Sequence, residues 1–201
     1  MLRKLTSTTV LAAALFALGC ATDDTGDADT ETDTTALAAN RCVTGTPTIT
    51  AGGVGPVRIG ETLAQAETRC TVRDTAFTLG EGMRETGRVV ELNGSSVVVL
   101  TNASGNVSRI IIEDPSVRTE RGLGVGSTVG ELREAHGQLC AALGEGIVVV
   151  SSGNLGPISF ATDADFGTVS RGASIDVDAI PPETRITSLW VYEGRALCGA
   201  S

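Results

Sequence analysis

Between residues 48 and 193 the chain is written in short apolar runs rich in Val and Ile, separated by Gly, Asn and Ser. Runs of this length with turn residues between them predict strands rather than helices. They fall at 71–79, 88–92, 97–101, 107–113, 147–151, 158–161 and 186–193, with a further edge strand at 48–50. Asn93-Gly94 and Ser104-Gly105-Asn106 have the composition of hairpin turns. Two places show helical spacing. After Thr62, a suitable N-cap, Leu63, Ala64 and Ala66 give a modest apolar face that ends before Arg69-Cys70. After Thr128, Val129, Leu132 and Ala135 face one way, Glu131 stands at N3 of a capping box, and Gly137 stops the helix behind His136.

The pattern recurs. Val57-Arg58-Ile59-Gly60-Glu61-Thr62-Leu63 matches Leu123-Gly124-Val125-Gly126-Ser127-Thr128-Val129, and Leu79-Gly80-Glu81-Gly82-Met83 returns as Leu143-Gly144-Glu145-Gly146-Ile147. The runs at 97–102 and 107–113 return at 158–163 and 186–193. Four matches in one order, at a period of roughly 60–70 residues, indicate a doubled supersecondary unit. The expected fold class is therefore α+β: two tandem repeats, about 54–115 and 120–198, each a short helix packed on an antiparallel β-meander. Val89, Val97, Val99, Ile110, Ile112, Val148, Val150, Ile158, Phe160, Leu189 and Val191 should divide between the sheet faces, and the face under the helices should be dry.

This recurring G-x-T-apolar start, short helix and meander resembles the tandem units of β-lactamase-inhibitory-protein-like folds and of small outer-membrane-assembly lipoproteins. The likeness covers about 54–137 well and 138–198 loosely. It is strongest over 106–137, through Thr119, Gly122, Val125-Gly126-Ser127-Thr128 and the helix ending at Gly137. Its motifs are structural, so the resemblance implies a fold and brings no catalytic residues with it.

The first twenty residues carry a separate message. Arg3 and Lys4 precede an apolar stretch at 10–18, and Phe16-Ala17-Leu18-Gly19 leads into Cys20. This layout resembles a bacterial lipoprotein signal, or lipobox, with 1–19 as signal peptide. It implies a diacylglyceryl group on the Cys20 thiol and an acyl chain such as palmitate on its amine, enough to hold the protein on a membrane. The alternative is an ordinary secretory signal with a chance cysteine. The apolar stretch is shorter than the roughly 20 residues a membrane span needs. Ala21, where some relatives of this signal class carry a retention Asp, leans toward the outer membrane. Residues 20–40 then read as the lipidated Cys and a disordered acidic Thr/Asp tether, with Asp23, Asp24, Asp27, Asp29, Glu31 and Asp33 and almost nothing to bury. Residues 41–201 form the globular domain.

Composition narrows the partners. The chain carries 15 Lys+Arg against 24 Asp+Glu, and aromatic residues make up 3%. Such a surface neither attracts nucleic acid nor offers bases a stacking platform. Beyond Cys20 the cysteines are Cys42, Cys70, Cys140 and Cys198. An even set in an exported chain predicts disulfides. Three pairings are possible, and 42–70 with 140–198 would staple each half separately.

Candidate chemistry is sparse. His136 is the sole histidine and lacks a nucleophile motif near it. Asp163-Ala164-Asp165-Phe166-Gly167 resembles the start of a calcium loop without its closing Glu, leaving Asp163 and Asp165 as weak metal candidates that Asp176 and Asp178 could supplement. These lie in a long insertion, 162–185, which is either a binding loop or a neutral surface feature. The glycines at 122–126 lack the G-K-[ST] ending of a phosphate loop. No catalytic residue and no cofactor is expected. The leading reading is a lipid-anchored envelope protein, non-enzymatic, binding or scaffolding another envelope protein from the periplasmic or outer face. The alternatives are an inhibitor-like module for a secreted enzyme, using an exposed sheet face or the 162–185 loop, and, behind it, a calcium-binding or hydrolytic envelope protein. One Trp and one Tyr, Trp190 and Tyr192, argue against a large aromatic binding patch for the inhibitor.

Overall fold

The computed structural model describes residues 42, 45–78, 84–167, 174–194 and 197–198. The signal segment 1–19, Cys20, the tether 20–40 and the motif Leu79-Gly80-Glu81-Gly82-Met83 lie outside them.

The β-branched runs form strands because alternate side chains can be buried while every inner backbone group finds a ladder partner. In chain order these are β1 (Thr48–Thr50), β2 (Gly53–Val54), β3 (Val57–Arg58), β4 (Val72–Thr78), β5 (Arg84–Leu92), β6 (Ser95–Thr101), β7 (Val107–Ile112), β8 (Arg118–Thr119), β9 (Cys140–Gly144), β10 (Ile147–Ser151), β11 (Ile158–Thr162), β12 (Ser174–Ile175) and β13 (Ile186–Tyr192). The helices are α1 (Leu63–Glu67) and α2 (Val129–His136). A small sheet has the order β3-β2-β1-β8, and a nine-stranded antiparallel sheet has the order β12-β9-β10-β11-β13-β7-β6-β5-β4. Two of its tight turns, Asn93-Gly94 and Glu145-Gly146, hold positive φ at both central residues (44° and 89°, 54° and 77°). That is the type I′ geometry which matches the twist of paired strands.

The expected α+β class, with two tandem helix-on-meander repeats, is corrected by this architecture. The protein is mostly β-sheet. Thirteen strands stand against α-helices of five and eight residues among the described segments. The ladder runs without a boundary from β4 through the β7–β13 pairing to β12. One buried cluster joins Leu132 and Val129 of α2, Ile49 and Val57 of the small sheet, and Val99, Phe160 and Leu189 of the large one. The helices stay short for local reasons. Thr62 and Gln65 form a capping box at the start of α1, and five residues later its last N–H groups turn back at Thr68. Gly137, at φ 72°, ends α2. In α1 only Ala66 is buried, too little apolar surface to make a layer.

The helices and the small sheet lie against one face of the large sheet. Of the residues expected to divide between the faces, ten lie on this one, and Val89 alone points the other way, as its register opposite Val98 and Arg73 requires. Cys42–Cys70 and Cys140–Cys198 are disulfides, with S–S distances of 2.01 and 1.99 Å. They close loops of 28 and 58 residues. In the chain-entropy picture such loops are worth about 3.6 and about 4.2 kcal/mol.

Candidate functional site

Strand alternation leaves the second face of the large sheet outside the core cluster. Along one row the register pairs Ser159 with Trp190, Trp190 with Ile111, Ile111 with Val98, Val98 with Val89, and Val89 with Arg73. The next row pairs Tyr192 with Arg109 and Arg109 with Leu100. At its centre Ile111, Leu100 and Ser159 are buried while Val89, Val98, Trp190 and Tyr192 are half-buried, and at its polar rim Arg73 pairs with Glu91 at 2.6 Å. Small residues make room on it. A Cβ at Gly87 would stand 3.0 Å from Val98 Cγ1, and one at Gly144 would stand 4.0 Å from the Trp190 indole.

One contact crosses it. Arg109 on β7 donates to the Glu145 carboxylate at 2.6 Å, although β13 and β11 lie between β7 and the β9–β10 turn. Three strand spacings amount to about 14 Å in a flat sheet. Two long side chains can just span that distance, so Arg109 and Glu145 reach toward each other across the β11 and β13 positions of this face. The Arg109 guanidinium also lies 5.5 Å from the Trp190 ring centroid, within cation–π range. The Tyr192 hydroxyl and Ser159 Oγ share a hydrogen bond of 3.2 Å. The sole Trp, the sole Tyr and an Arg locked by a carboxylate thus stand side by side on one face of the sheet. From the sequence, Trp190 and Tyr192 counted against a large aromatic patch, and Arg109 and Glu145, which are 36 residues apart, were not singled out. The period-two spacing of 190 and 192 was the signal that they share a face.

His136 stands elsewhere, at the end of α2, beside a cavity of about 420 Å³ on the helix side of the sheet. Its carbonyl accepts from Asn154 Nδ2 at 3.3 Å, and the Ala135 carbonyl accepts from Arg121. Its ring nitrogen Nε2 is buried without a hydrogen-bond partner. Burial, and then the nearby Arg121 charge, lower its pKa below the usual histidine value.

The acidic candidates are absorbed by turns. Asp163 accepts the Arg185 backbone N–H at 2.8 Å and Asp165 that of Gly167 at 2.8 Å. Asp176 caps a short 3₁₀ turn, and Asp178 pairs with Arg133 at 3.4 Å. Among the described residues no three His, Cys, Asp or Glu side chains gather where they could hold a metal ion. The described parts of the 162–185 insertion serve the scaffold. The Pro182 and Thr184 carbonyls accept the N–H groups of Gly130 and Val129, satisfying the exposed start of α2, and Ile180 is buried. A Cβ at Gly130 would stand 3.0 Å from the Pro182 oxygen, so the glycine lets the insertion approach. Cys20 lies outside the described residues, and no helix among them is long and apolar enough to cross a membrane.

No protein-family model matches the chain, and no curated protein matches it. Among solved structures it is similar to the crystal structure of the uncharacterized protein yfeY from Escherichia coli, at 17% identity and a TM-score of 0.48, covering 72% of this chain and 99% of that one. A likeness that distant carries no argument about the chain described here.

Proposed function

We propose that this protein is a lipid-anchored, non-enzymatic module of the cell envelope that binds another protein through the face of its large sheet that carries Trp190, Tyr192 and Arg109. The observation that carries the reading is the convergence of Trp190, Tyr192 and Arg109 on that face. Trp, Tyr and Arg are the residues in which interface energy concentrates, and they do so in sheltered, centrally placed pockets. Arg109 is already held by Glu145, so little side-chain freedom remains to be lost on binding. The rim ion pair Arg73–Glu91 and the central apolar row follow the anatomy of a core surrounded by polar groups. The anchor rests on the layout of residues 3–20, and the acidic tether would hold the domain clear of the lipid surface. A hydrolytic role would need a Ser, Thr or carboxylate hydrogen-bonded to His136, and no described residue hydrogen-bonds to its Nε2.

The anchor is tested by mass spectrometry of the native amino terminus with Cys20→Ala as control. Acyl mass on Cys20, lost together with membrane association in the variant, is expected. An unmodified, freely secreted terminus would overturn the location. The binding face is tested by capture from envelope extracts with the unaltered protein and with Trp190→Ala. A partner that survives the substitution undiminished would remove the face from the account. A captured secreted enzyme whose activity falls on binding would turn the reading to an inhibitor.

A further inference from the structure

The cavity beside His136 plays no part in the function proposed above, yet its walls combine a fixed cation with an apolar floor. Five separate segments meet there: β1, the 119–123 turn, the end of α2, the 3₁₀ turn Gly153–Leu155 and the start of β11. Its volume, about 420 Å³, lies within the range of small-molecule sites, about 300–1,000 Å³. Leu155, Ala51 and Ala135 supply the accessible apolar surface, backed by Ile49 and Ile158, both 2% exposed. Thr50 and Asn154 add polar atoms to the wall.

We propose that this cavity binds a small organic monocarboxylate with an apolar body, its carboxylate on Arg121 and its body against Leu155, Ala51 and Ala135. Arg121 makes no ion pair among the described residues. One of its five guanidinium donors is spent on the Ala135 carbonyl, which fixes the side chain at the cavity and leaves the other donors for an anion. Glu120, which also lines the cavity, and Glu131 and Glu134, which share a second depression with Arg121, form no salt bridge with it.

His136 reports on the same event. The charged groups around it are Glu120 and Arg121 on the 119–123 turn and Arg133 and Glu134 on its own helix; β1 and the 3₁₀ turn bring none. Of these, Arg121 is the one that disfavours its protonated form. An anion that neutralises Arg121 therefore raises the affinity of His136 for a proton, and by linkage protonated His136 tightens the anion.

The test uses the carbon-bound ring protons of His136, which are unique because the chain has one histidine. The intact protein is titrated with octanoate, with octanol and octylamine as controls of equal length. Saturable shifts with octanoate alone, a higher His136 pKa in its presence, and at least about a tenfold loss of affinity in Arg121→Gln are expected, as for a charged hydrogen bond. Arg121→Lys, which keeps the charge, should lose less. Equal responses to octanoate and octanol, absence of saturable shifts, or an Arg121→Gln titration unchanged from the parent would each overturn the proposal. Should Arg121→Gln fail to fold, the comparison of octanoate with octanol in the unaltered protein still decides it.

Discussion

Glu145 holds its backbone at φ 54°, in the left-handed region, at the first position of the β9–β10 turn. For a residue with a Cβ this costs about 1–2 kcal/mol. Its carboxylate is joined to Arg109 at 2.6 Å, with side chains 13% and 29% exposed. A partly sheltered pair of this kind is worth about 1 kcal/mol, the top of the range for exposed pairs. Glu145→Ala keeps the backbone strain and loses the pair, so the protein should be destabilised by about 1 kcal/mol. Glu145→Gly loses the same pair and relieves about 1–2 kcal/mol of strain, against about 0.5–1 kcal/mol of added freedom in the unfolded chain. The glycine variant should therefore be the more stable of the two by about 0.5–1 kcal/mol. Urea unfolding with equal slopes gives the difference directly from the midpoints. Both variants release Arg109 and should weaken partner binding alike, whatever their stabilities. An alanine variant as stable as the glycine variant, or more so, would refute the assignment of strain at this turn. Partner binding that tracked stability and not the loss of the carboxylate would refute its role in holding Arg109.

Removing Cys140 and Cys198 together should cost more than removing Cys42 and Cys70, about 4.2 against about 3.6 kcal/mol, because the closed loop is longer. Thermal or urea midpoints in the reverse order would contradict the loop argument. Leu132→Ala empties a fully buried site between α2 and the sheet and should cost about 2–5 kcal/mol; a loss below about 1 kcal/mol would mean the helix does not seal the core. His136 has a lowered pKa in the folded protein, so the unfolded chain takes up the proton first as the pH falls. Stability should decline as the pH drops through the ordinary histidine range of about 6.5 and continue to decline until the folded protein protonates too. His136→Gln should flatten that part of the profile, and an unchanged slope would place its origin elsewhere. Asp114, lowered by its hydrogen bonds from Ser116, should add a further loss in the same direction at more acid pH.

Local signals in the sequence were legible where one residue decides a local outcome. Thr128 and Glu131 do form the reciprocal cap, with the Glu131 carboxylate accepting the Thr128 N–H at 2.7 Å. Asn93-Gly94 does turn β5 into β6. β9 was missed because Cys140-Ala-Ala-Leu-Gly has no β-branched residue. Its open-face positions are small because Val149 and the Trp190 indole lie close to Gly144. The two-residue strands of the small sheet are too short for any periodicity. The fold class failed at the longest range. Local pattern gives a helix and the strands after it, but the β7–β13 pairing that makes one sheet joins residues roughly 80 apart, and no local pattern encodes it. The binding face was half legible for the same reason. Trp190 and Tyr192 are neighbours by alternation, whereas Arg109 reaches them through that pairing and Glu145 through its contact with Arg109 across three strand spacings.

The most direct measurement is photo-crosslinking in intact envelopes, with the reactive group placed at Val98, on the sheet face that carries Trp190, and, in a second protein, at Glu134 on the exposed side of α2. A discrete protein adduct from position 98, absent from position 134 and lost when Trp190→Ala is added, is the predicted result. Adducts of equal strength from both positions, or an adduct at 98 indifferent to Trp190, would contradict the account.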